Sequence, residues 1–353
     1  MKGGSDQNVR NQIMVGDVRE LLPTLPAGTV DTIITSPPYY ALRDYQADGQ
    51  IGLEDNVDGW VEELRTVTRG LARVLKSSGS LWLNLGDSYA RHQRDGAVPK
   101  SLLLGPERLA LAMTQDGWII RNKIVWAKTN PMPTSVRDRL SCTYEVLYFA
   151  VRSQQYYFDL DAIRIPHRST LKRPSVAAAR RAVDAVRPEW AGPLAGSNVG
   201  LDRTKAQGRV GHPLGKNPGD VWTYATSNVA NLHHATFPEP LLTRPLLSSC
   251  PERVCTSCGV PWERARADRS RELVALGDLV ARCRCAAGYR PGLVLDPFLG
   301  SGTTAIAAER SRRDWLGIEL NSDFAEAATH RINTARAKRQ TPSSAAREPP
   351  LAA

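Results

Sequence analysis

Apolar residues along the chain fall into short continuous runs separated by longer stretches of helical spacing. Ile13-Met14-Val15, Val30-Asp31-Thr32-Ile33-Ile34, Ser80 to Leu85, Ile119 to Trp126, Tyr144 to Val151, Leu293-Val294-Leu295 and Trp315 to Leu320 read as strands. Val18 to Leu25, Trp60 to Val74, Leu102 to Met113, Leu241 to Leu247, Thr303 to Arg310 and Ser322 to Ala337 read as helices. In the second of these, Trp60, Leu64, Val67, Leu71 and Val74 fall on one side. Near-continuous apolar strands alternating with helices predict an α/β fold: a mostly parallel, doubly wound sheet covered on both faces.

The alternation breaks twice. Between residues 165 and 220 the chain is rich in Arg, Ala, Gly and Pro, and basic residues outnumber acidic ones. A nucleic-acid-contacting insertion and a solvated basic loop both fit that composition. A cysteine-bearing stretch spans 250–289. The expected organisation is an N-terminal half (11–164), the basic insertion (165–220), a second half in two pieces (221–249 and 290–337), the Cys-rich insertion (250–289), and a Ser-, Pro- and Ala-rich tail (338–353) without regular structure.

Composition adds a partner class. The 353 residues are 42% hydrophobic, enough for a sizeable core, and carry a net charge of +10. That excess favours a polyanion, with nucleic acid first. No apolar run is long enough to span a membrane, and the polar N-terminus lacks a signal core, so a cytoplasmic protein is expected.

Two motifs carry the chemistry. Asp296-Pro297-Phe298-Leu299-Gly300-Ser301-Gly302-Thr303-Thr304 lies between a strand and a helix. Glycines there let backbone approach a ligand, and the helix start offers free N–H groups. The loop has neither the Lys of a phosphate loop nor the third Gly of a dinucleotide fold. The next strand ends at Glu319, which suits ribose hydroxyls, and Asp296 suits an amine-bearing ligand. S-adenosylmethionine has amine, sulfonium and ribose but no phosphate. The second motif, Ser36-Pro37-Pro38-Tyr39 after an apolar strand, is a stiff loop short of backbone donors. It suits an exocyclic amino group, with Tyr39 as a stacking face. In most cofactor-binding α/β folds the glycine loop comes first; here it comes last.

Together with Gly16-Asp17, Pro133 to Leu140, Tyr144-Glu145 and His234 to Pro238, these motifs resemble the amino-directed DNA methyltransferases of bacterial and phage restriction-modification systems. The tip-first order resembles their β subgroup, a circular permutation of the S-adenosylmethionine-dependent methyltransferase fold, and the resemblance covers about 13–164 and 221–332. It implies that Asp17 contacts the cofactor adenine, that Glu319 holds the ribose, and that Phe298 to Gly302 hold the methionine part; Asp296, Phe298, Gly300, Ser301, Gly302 and Thr303 are all expected to be cofactor-binding. Phe237 would pack on the cofactor. Ser36, Pro37, Pro38 and Tyr39 would be catalytic, acting on a base flipped from double-stranded DNA. Ser at the first tip position leans towards cytosine N4; adenine N6 is the alternative. Lys128, Arg137 and Arg139 are expected on the DNA backbone, with Arg168, Lys172, Arg173, Arg180 and Arg181 in the target-recognition insertion. A cognate restriction endonuclease is an implied partner, and a monomer or homodimer is expected. A catalytically silent DNA-binding protein on this scaffold and a protein or RNA methyltransferase are competing readings, against which the intact motifs and the basic insertion argue.

Cys255-x2-Cys258 precedes Cys283-x-Cys285. Two close thiol pairs suit a structural zinc, with Cys250 as a possible replacement ligand; four free thiols are the alternative. Cys142, which does not follow a proline, reads as a core thiol.

Overall fold

In the computed structural model, which describes residues 9–166, 212, 214–227, 237–265 and 276–340, the apolar runs assemble one eight-stranded sheet. The strands are β1 (Gln12–Val15), β2 (Val30–Thr35), β3 (Leu75–Leu85), β4 (Ile119–Lys128), β5 (Tyr144–Val151) and β6 (Val221–Tyr224). Four two-residue strands follow: β7 (Val254–Cys255), β8 (Glu263–Arg264), β9 (Leu279–Val280) and β10 (Tyr289–Arg290). β11 (Leu293–Asp296) and β12 (Asp314–Glu319) return to the main sheet. The helices described are α1 (Val18–Leu21), α2 (Val57–Val74), α3 (Gly105–Gln115), α4 (Glu239–Ser249), α5 (Thr303–Arg310) and α6 (Ser322–Gln340).

The sheet order is β1-β12-β11-β2-β3-β5-β4-β6. The first five run parallel, β5 is antiparallel to both neighbours, and β6 is parallel to β4. C-terminal strand β11 therefore sits between C-terminal β12 and N-terminal β2. This is the permuted methyltransferase topology expected from the motif order. The crevice where the order reverses, between β11 and β2, is where open α/β sheets bind ligands.

Alternation along the central strands fills both faces. On β3 Leu81, Leu83 and Leu85 join one core, while Trp82 joins the other. On β5 Val146, Tyr148 and Ala150 face the first core, and Leu147, Phe149 and Val151 the second. The first core takes Leu64 and Leu71 of α2 and Leu109 of α3; the second takes Leu242 of α4, Ala305 of α5 and Ile332 of α6. N-terminal helices thus cover one face and C-terminal helices the other.

Element ends differ from the sequence reading where capping decides them. α2 starts at Val57 rather than Trp60, because the Asn56 side chain accepts the Gly59 N–H at 2.9 Å. α3 starts at Gly105, not Leu102; Pro106 opens it, and the Asp87 carboxylate accepts the Leu104 and Gly105 N–H groups. α6 runs to Gln340, so 338–340 are helical and not part of a tail. Arg336 bonds the Glu309 carboxylate at 2.9 Å and Arg339 the Glu309 carbonyl at 2.6 Å, which holds those last turns. Residues 341–353 lie outside those described.

The chain divides into two compact units, one of Met1–Asp159, Gly219–Arg264 and Leu279–Arg347, which contains the sheet, and one of Leu160–Pro218, Ala265–Asp278 and Glu348–Ala353. Of the second unit, the described part includes a 3-10 turn at Asp161–Ile163, an Arg164–Asp161 ion pair at 2.6 Å and an antiparallel bridge between Ile165 and Lys216. Cys142 is not a core thiol. It precedes β5 in an exposed loop, 3.4 Å from the Tyr89 hydroxyl. Among the described residues, no helix is long and apolar enough to cross a membrane.

Candidate active site

Parallel pairing of β1, β12, β11 and β2 puts Gly16-Asp17, Glu319, Asp296 and Ser36 at the carboxyl ends of adjacent strands. Gly16 donates its N–H to the Glu319 carbonyl at 2.9 Å. Asp296 is the hinge pin of this edge. Its Oδ1 accepts from the Thr35 hydroxyl at 2.7 Å and the Phe298 N–H at 3.1 Å, and its Oδ2 accepts from the Thr304 hydroxyl at 2.5 Å. It is buried and does not line the cavity that its neighbours enclose. The expectation that Asp296 meets an amine-bearing ligand is therefore corrected. Both oxygens are turned inward, tying the Ser-Pro-Pro-Tyr tip to the glycine loop and to α5.

That cavity opens between these segments, lined by Gly16, Asp17, Val18, Ser36 and Pro38, by Tyr45, Ala47 and Gly49 to Ile51, by Phe237, by Pro297 to Ser301 and Thr303, and by Glu319 to Asn321 and Phe324. Glu319 Oε2 accepts the Gly300 N–H at 2.8 Å and Oε1 the Asn321 N–H at 3.0 Å, and the Leu320 N–H is a third backbone donor to the carboxylate. Its burial pushes its pKa up. Gly300 holds φ +52°, and a side chain there would project into space with only the Phe298 carbonyl within 4 Å. Gly302 differs: it does not line this cavity, and a Cβ there would press on Ile332 and Ala328 of α6 at 3.2 and 3.3 Å. Its lack of a side chain serves packing. Asp17 borders the cavity but caps α1, and both its oxygens accept from Arg19, which holds its carboxyl below the ordinary range. Arg331 of α6, which the sequence reading did not single out, donates to the Ser301 carbonyl at 2.7 Å and to the Ser301 and Thr303 hydroxyls at 3.0 and 2.9 Å.

Behind Ser36 lies a polar cluster. The Tyr39 hydroxyl donates to Glu145 Oε2 at 2.6 Å and lies 3.2 Å from Ser36 Oγ. Asn84 Nδ2 donates to the Tyr39 hydroxyl and to Glu145, both at 2.7 Å, and reaches Ser36 Oγ at 3.3 Å. A carboxylate only accepts, so Glu145 fixes which end of the Asn84 amide faces it. Lys128 Nζ closes the cluster on Glu145 Oε1 at 2.6 Å. Burial, then the Glu145 charge, push the Tyr39 pKa well above the phenol range, so it remains a donor. The ring lies against Gly86, where any Cβ would come within 2.6 Å of it. Pro37 and Tyr39 do not border the cavity; Pro38 does, and its carbonyl accepts the Trp60 indole N–H at 2.9 Å, anchoring the tip to α2.

The basic residues expected on DNA divide. Lys128 is not a free phosphate contact, since the Glu145 carboxylate engages it inside the cluster. Arg137 is exposed, and Arg139 stacks its guanidinium 3.8 Å from the Tyr89 ring centroid. Arg168, Lys172, Arg173, Arg180 and Arg181 lie outside the described residues, as do 234–236 of the His234 to Pro238 match.

The buried Asp296 carboxyl carries a pH signature. Desolvation, only partly offset by its hydrogen bonds, raises its pKa to about 6. An acid with a raised folded pKa stabilises the protein most below its unfolded value and loses that contribution as pH rises through about 6. Asp296→Asn keeps an oxygen for Thr35 and Phe298 while Thr304 becomes an acceptor. Urea unfolding at pH 5 and 7.5 should show the wild type losing on the order of 1 kcal/mol relative to Asp296→Asn. Parallel pH dependences would refute the assignment.

The sequence profile described as DNA methylase matches residues 30–330. The type II methyltransferase M.SmaI of Serratia marcescens is 31% identical over 350 residues, covering 93% of this chain and 92% of that one. M.Cfr9I of Citrobacter freundii is 30% identical over 339 residues, covering 90% and 86%. Among solved structures, the PvuII DNA methyltransferase, described as cytosine-N4-specific, superposes with a TM-score of 0.53 at 15% identity, covering 92% of this chain and 91% of that one. A Thermus thermophilus protein, a putative DNA modification methylase solved with S-adenosyl-L-methionine, has a TM-score of 0.50 at 20% identity, covering 92% and 95%. At these identities the superpositions speak to fold alone.

Proposed function

The chain belongs to the DNA methylase family, the DNA amino-methyltransferases of restriction-modification type, and on that footing we propose that it methylates the exocyclic N4 of cytosine in double-stranded DNA, using S-adenosylmethionine. The observation that carries this reading is a cavity bordered on one side by Ser36 and Pro38 and on the other by Phe298 to Ser301 and Glu319. The lining suits the cofactor. Glu319 lines the cavity, and its three backbone donors leave the carboxylate an acceptor site for a ribose hydroxyl. The bare face of Gly300 leaves room for a ligand against the backbone, and Phe237, Phe298 and Phe324 supply apolar and aromatic surface.

When bound, S-adenosylmethionine supplies an electrophilic methyl group on a sulfonium. The protein residues then orient the base. The Ser36 hydroxyl and the Pro37 carbonyl accept the amino hydrogens, which draws the nitrogen lone pair out of ring conjugation and turns it towards the cavity. Glu145 and Asn84 hold the Tyr39 hydroxyl, and so its ring, beside Ser36. The base reaches this place by leaving the duplex, because its amino group is paired inside.

One feature favours cytosine over adenine: Ser rather than Asp at the first tip position, by the family resemblance. A cognate restriction endonuclease as partner is part of this proposal, in keeping with the restriction-modification type of the family. DNA from cells expressing the chain, digested to nucleosides and analysed by mass, should contain N4-methylcytosine. N6-methyladenine would overturn the base assignment, and neither product would overturn the activity. Ser36→Ala should lower the rate by about tenfold, the worth of one hydrogen bond, with cofactor affinity retained.

A further inference from the structure

The cysteine insertion takes no part in the site just described. Its four thiols nevertheless come together: the Sγ atoms of Cys255, Cys258, Cys283 and Cys285 all lie within 4.8 Å of one another. Four sulfurs around one tetrahedral metal at about 2.3 Å stand roughly 3.8 Å apart, so a single ion fits with small adjustments.

Backbone N–H groups face three of the four sulfurs. The N–H groups of Ser257 and Cys258 bond the Cys255 sulfur, that of Val260 the Cys258 sulfur, and that of Cys285 the Cys283 sulfur. Gly259 turns the chain at φ +72° and donates its N–H to the Cys255 carbonyl at 3.0 Å, forming a tight knuckle. Cys255 on β7 pairs with Tyr289 on β10, which brings the second thiol pair beside the first. Cys250 is not a replacement ligand. It is fully buried in the second core, outside the cluster.

Among the described residues, this segment is otherwise held by ion pairs, such as Arg264 with Asp159 at 2.6 Å, by the buried Val254 and by little regular structure. β7 and β10 pair over two residues, and so do β8 and β9. The aromatic packing near them is Trp262 against Tyr289 at 5.2 Å, with the Arg253 guanidinium 4.3 Å from the Tyr289 centroid. So small a core does not fix a fold alone, and a structural metal is the usual supplement.

We propose that Cys255, Cys258, Cys283 and Cys285 bind one zinc ion as a tetrathiolate that closes the ribbon between α4 and β11. Binding releases the thiol protons and converts metal affinity into local folding energy. All four positions are thiolates, with no place left for water or substrate, so the zinc is structural. Its location agrees. Gly259 of the knuckle lies beside Lys76, at the start of β3, whereas Asn84 of the polar cluster is at that strand's other end; five residue steps of the adjacent β2, from Val30 opposite Leu75 to Thr35 opposite Leu83, put these ends roughly 17 Å apart at 3.3 Å per residue.

The full chain, purified without chelator, should contain one zinc per chain by elemental analysis. Cys258→Ser and Cys285→Ser should lose it, while Cys250→Ser and Cys142→Ser should keep it. Stripped protein titrated with cobalt(II) should develop the visible and near-ultraviolet bands of a tetrahedral tetrathiolate, abolished by zinc. That readout does not depend on the variants folding. Iron in place of zinc, two disulfides in freshly purified protein, or zinc retained by Cys258→Ser would each overturn the proposal. Zinc loss should lower the melting temperature while cofactor binding at the distant cavity persists, and this separates failure here from failure of the methyltransferase reading.

Discussion

Replacing Glu145 with alanine should slow methyl transfer by about 100-fold, the cost of misplacing a reacting group by about 1 Å, while cofactor affinity stays within about twofold. Glu145 does not border the cavity, so cofactor contacts are untouched. What it holds is the tip. Its Oε2 takes the Tyr39 hydroxyl and the Asn84 amide, and its Oε1 takes Lys128. Without it, a largely buried ammonium loses its partner, and the Tyr39 phenol, still protonated, must find another acceptor beside Ser36. The ring then has no fixed angle to the base. Glu145→Gln, which keeps one oxygen for Tyr39 and loses the charge facing Lys128, should fall between wild type and Glu145→Ala. Single-turnover methylation and calorimetric cofactor titration separate the two quantities. Parallel loss of both would mean that Glu145 serves general stability, and an unchanged rate would remove it from the positioning of the tip.

Gly300→Val should weaken cofactor binding by about 100-fold or more. At φ +52° a β-branched residue is strained by roughly 1–3 kcal/mol, and its methyl groups would stand in the open face of the loop. Each 1.4 kcal/mol is tenfold in affinity, so strain and occlusion together reach that figure. Gly300→Ala places less volume in the cavity and should lose less. Gly302→Ala offers the contrast. Its Cβ meets Ile332 and Ala328, so it should lower the melting temperature more than cofactor affinity. If Gly300→Val folds normally and binds cofactor as tightly as wild type, the open face of Gly300 is not where the ligand lies.

The sheet, its helices and the two motif loops are legible in the sequence because apolar periodicity and turn chemistry are local signals. The polar cluster is also written in that periodicity, but across three strands. Trp82, Leu147 and Trp126 lie on one sheet face, and two residues nearer the site the same face carries Asn84, Glu145 and Lys128. Asn84 stands opposite Leu147 and Glu145 opposite Trp126, so the polar residues step across the strands towards one edge rather than lying in one row. Seeing this requires the pairing of β3, β5 and β4, which no single strand contains, so in the sequence Lys128 reads as a lone cation beside DNA. Asp296 misleads for a similar reason. A carboxylate at a strand end resembles a ligand contact until its three partners, at positions 35, 298 and 304, are seen to surround it. The role of Gly302 needs α6 in place, since only that helix shows that the missing side chain serves packing.

The permuted strand order also sets a timetable for synthesis. β2 finds β3 locally, but its other neighbour, β11, is distant: Thr35 and Asp296 are separated by 261 residues. β1, at the sheet edge among the described residues, pairs with β12, later still. At translation rates of about 5–20 residues per second, the N-terminal strands wait roughly 13–50 s before their central partner leaves the ribosome. During that interval the apolar edges of β1 and β2 stand open, and the cavity has one wall. The glycine loop, first in most related folds, arrives here as the last wall of the pocket, so a nascent chain carries its Ser-Pro-Pro-Tyr tip well before the opposite wall of that pocket exists.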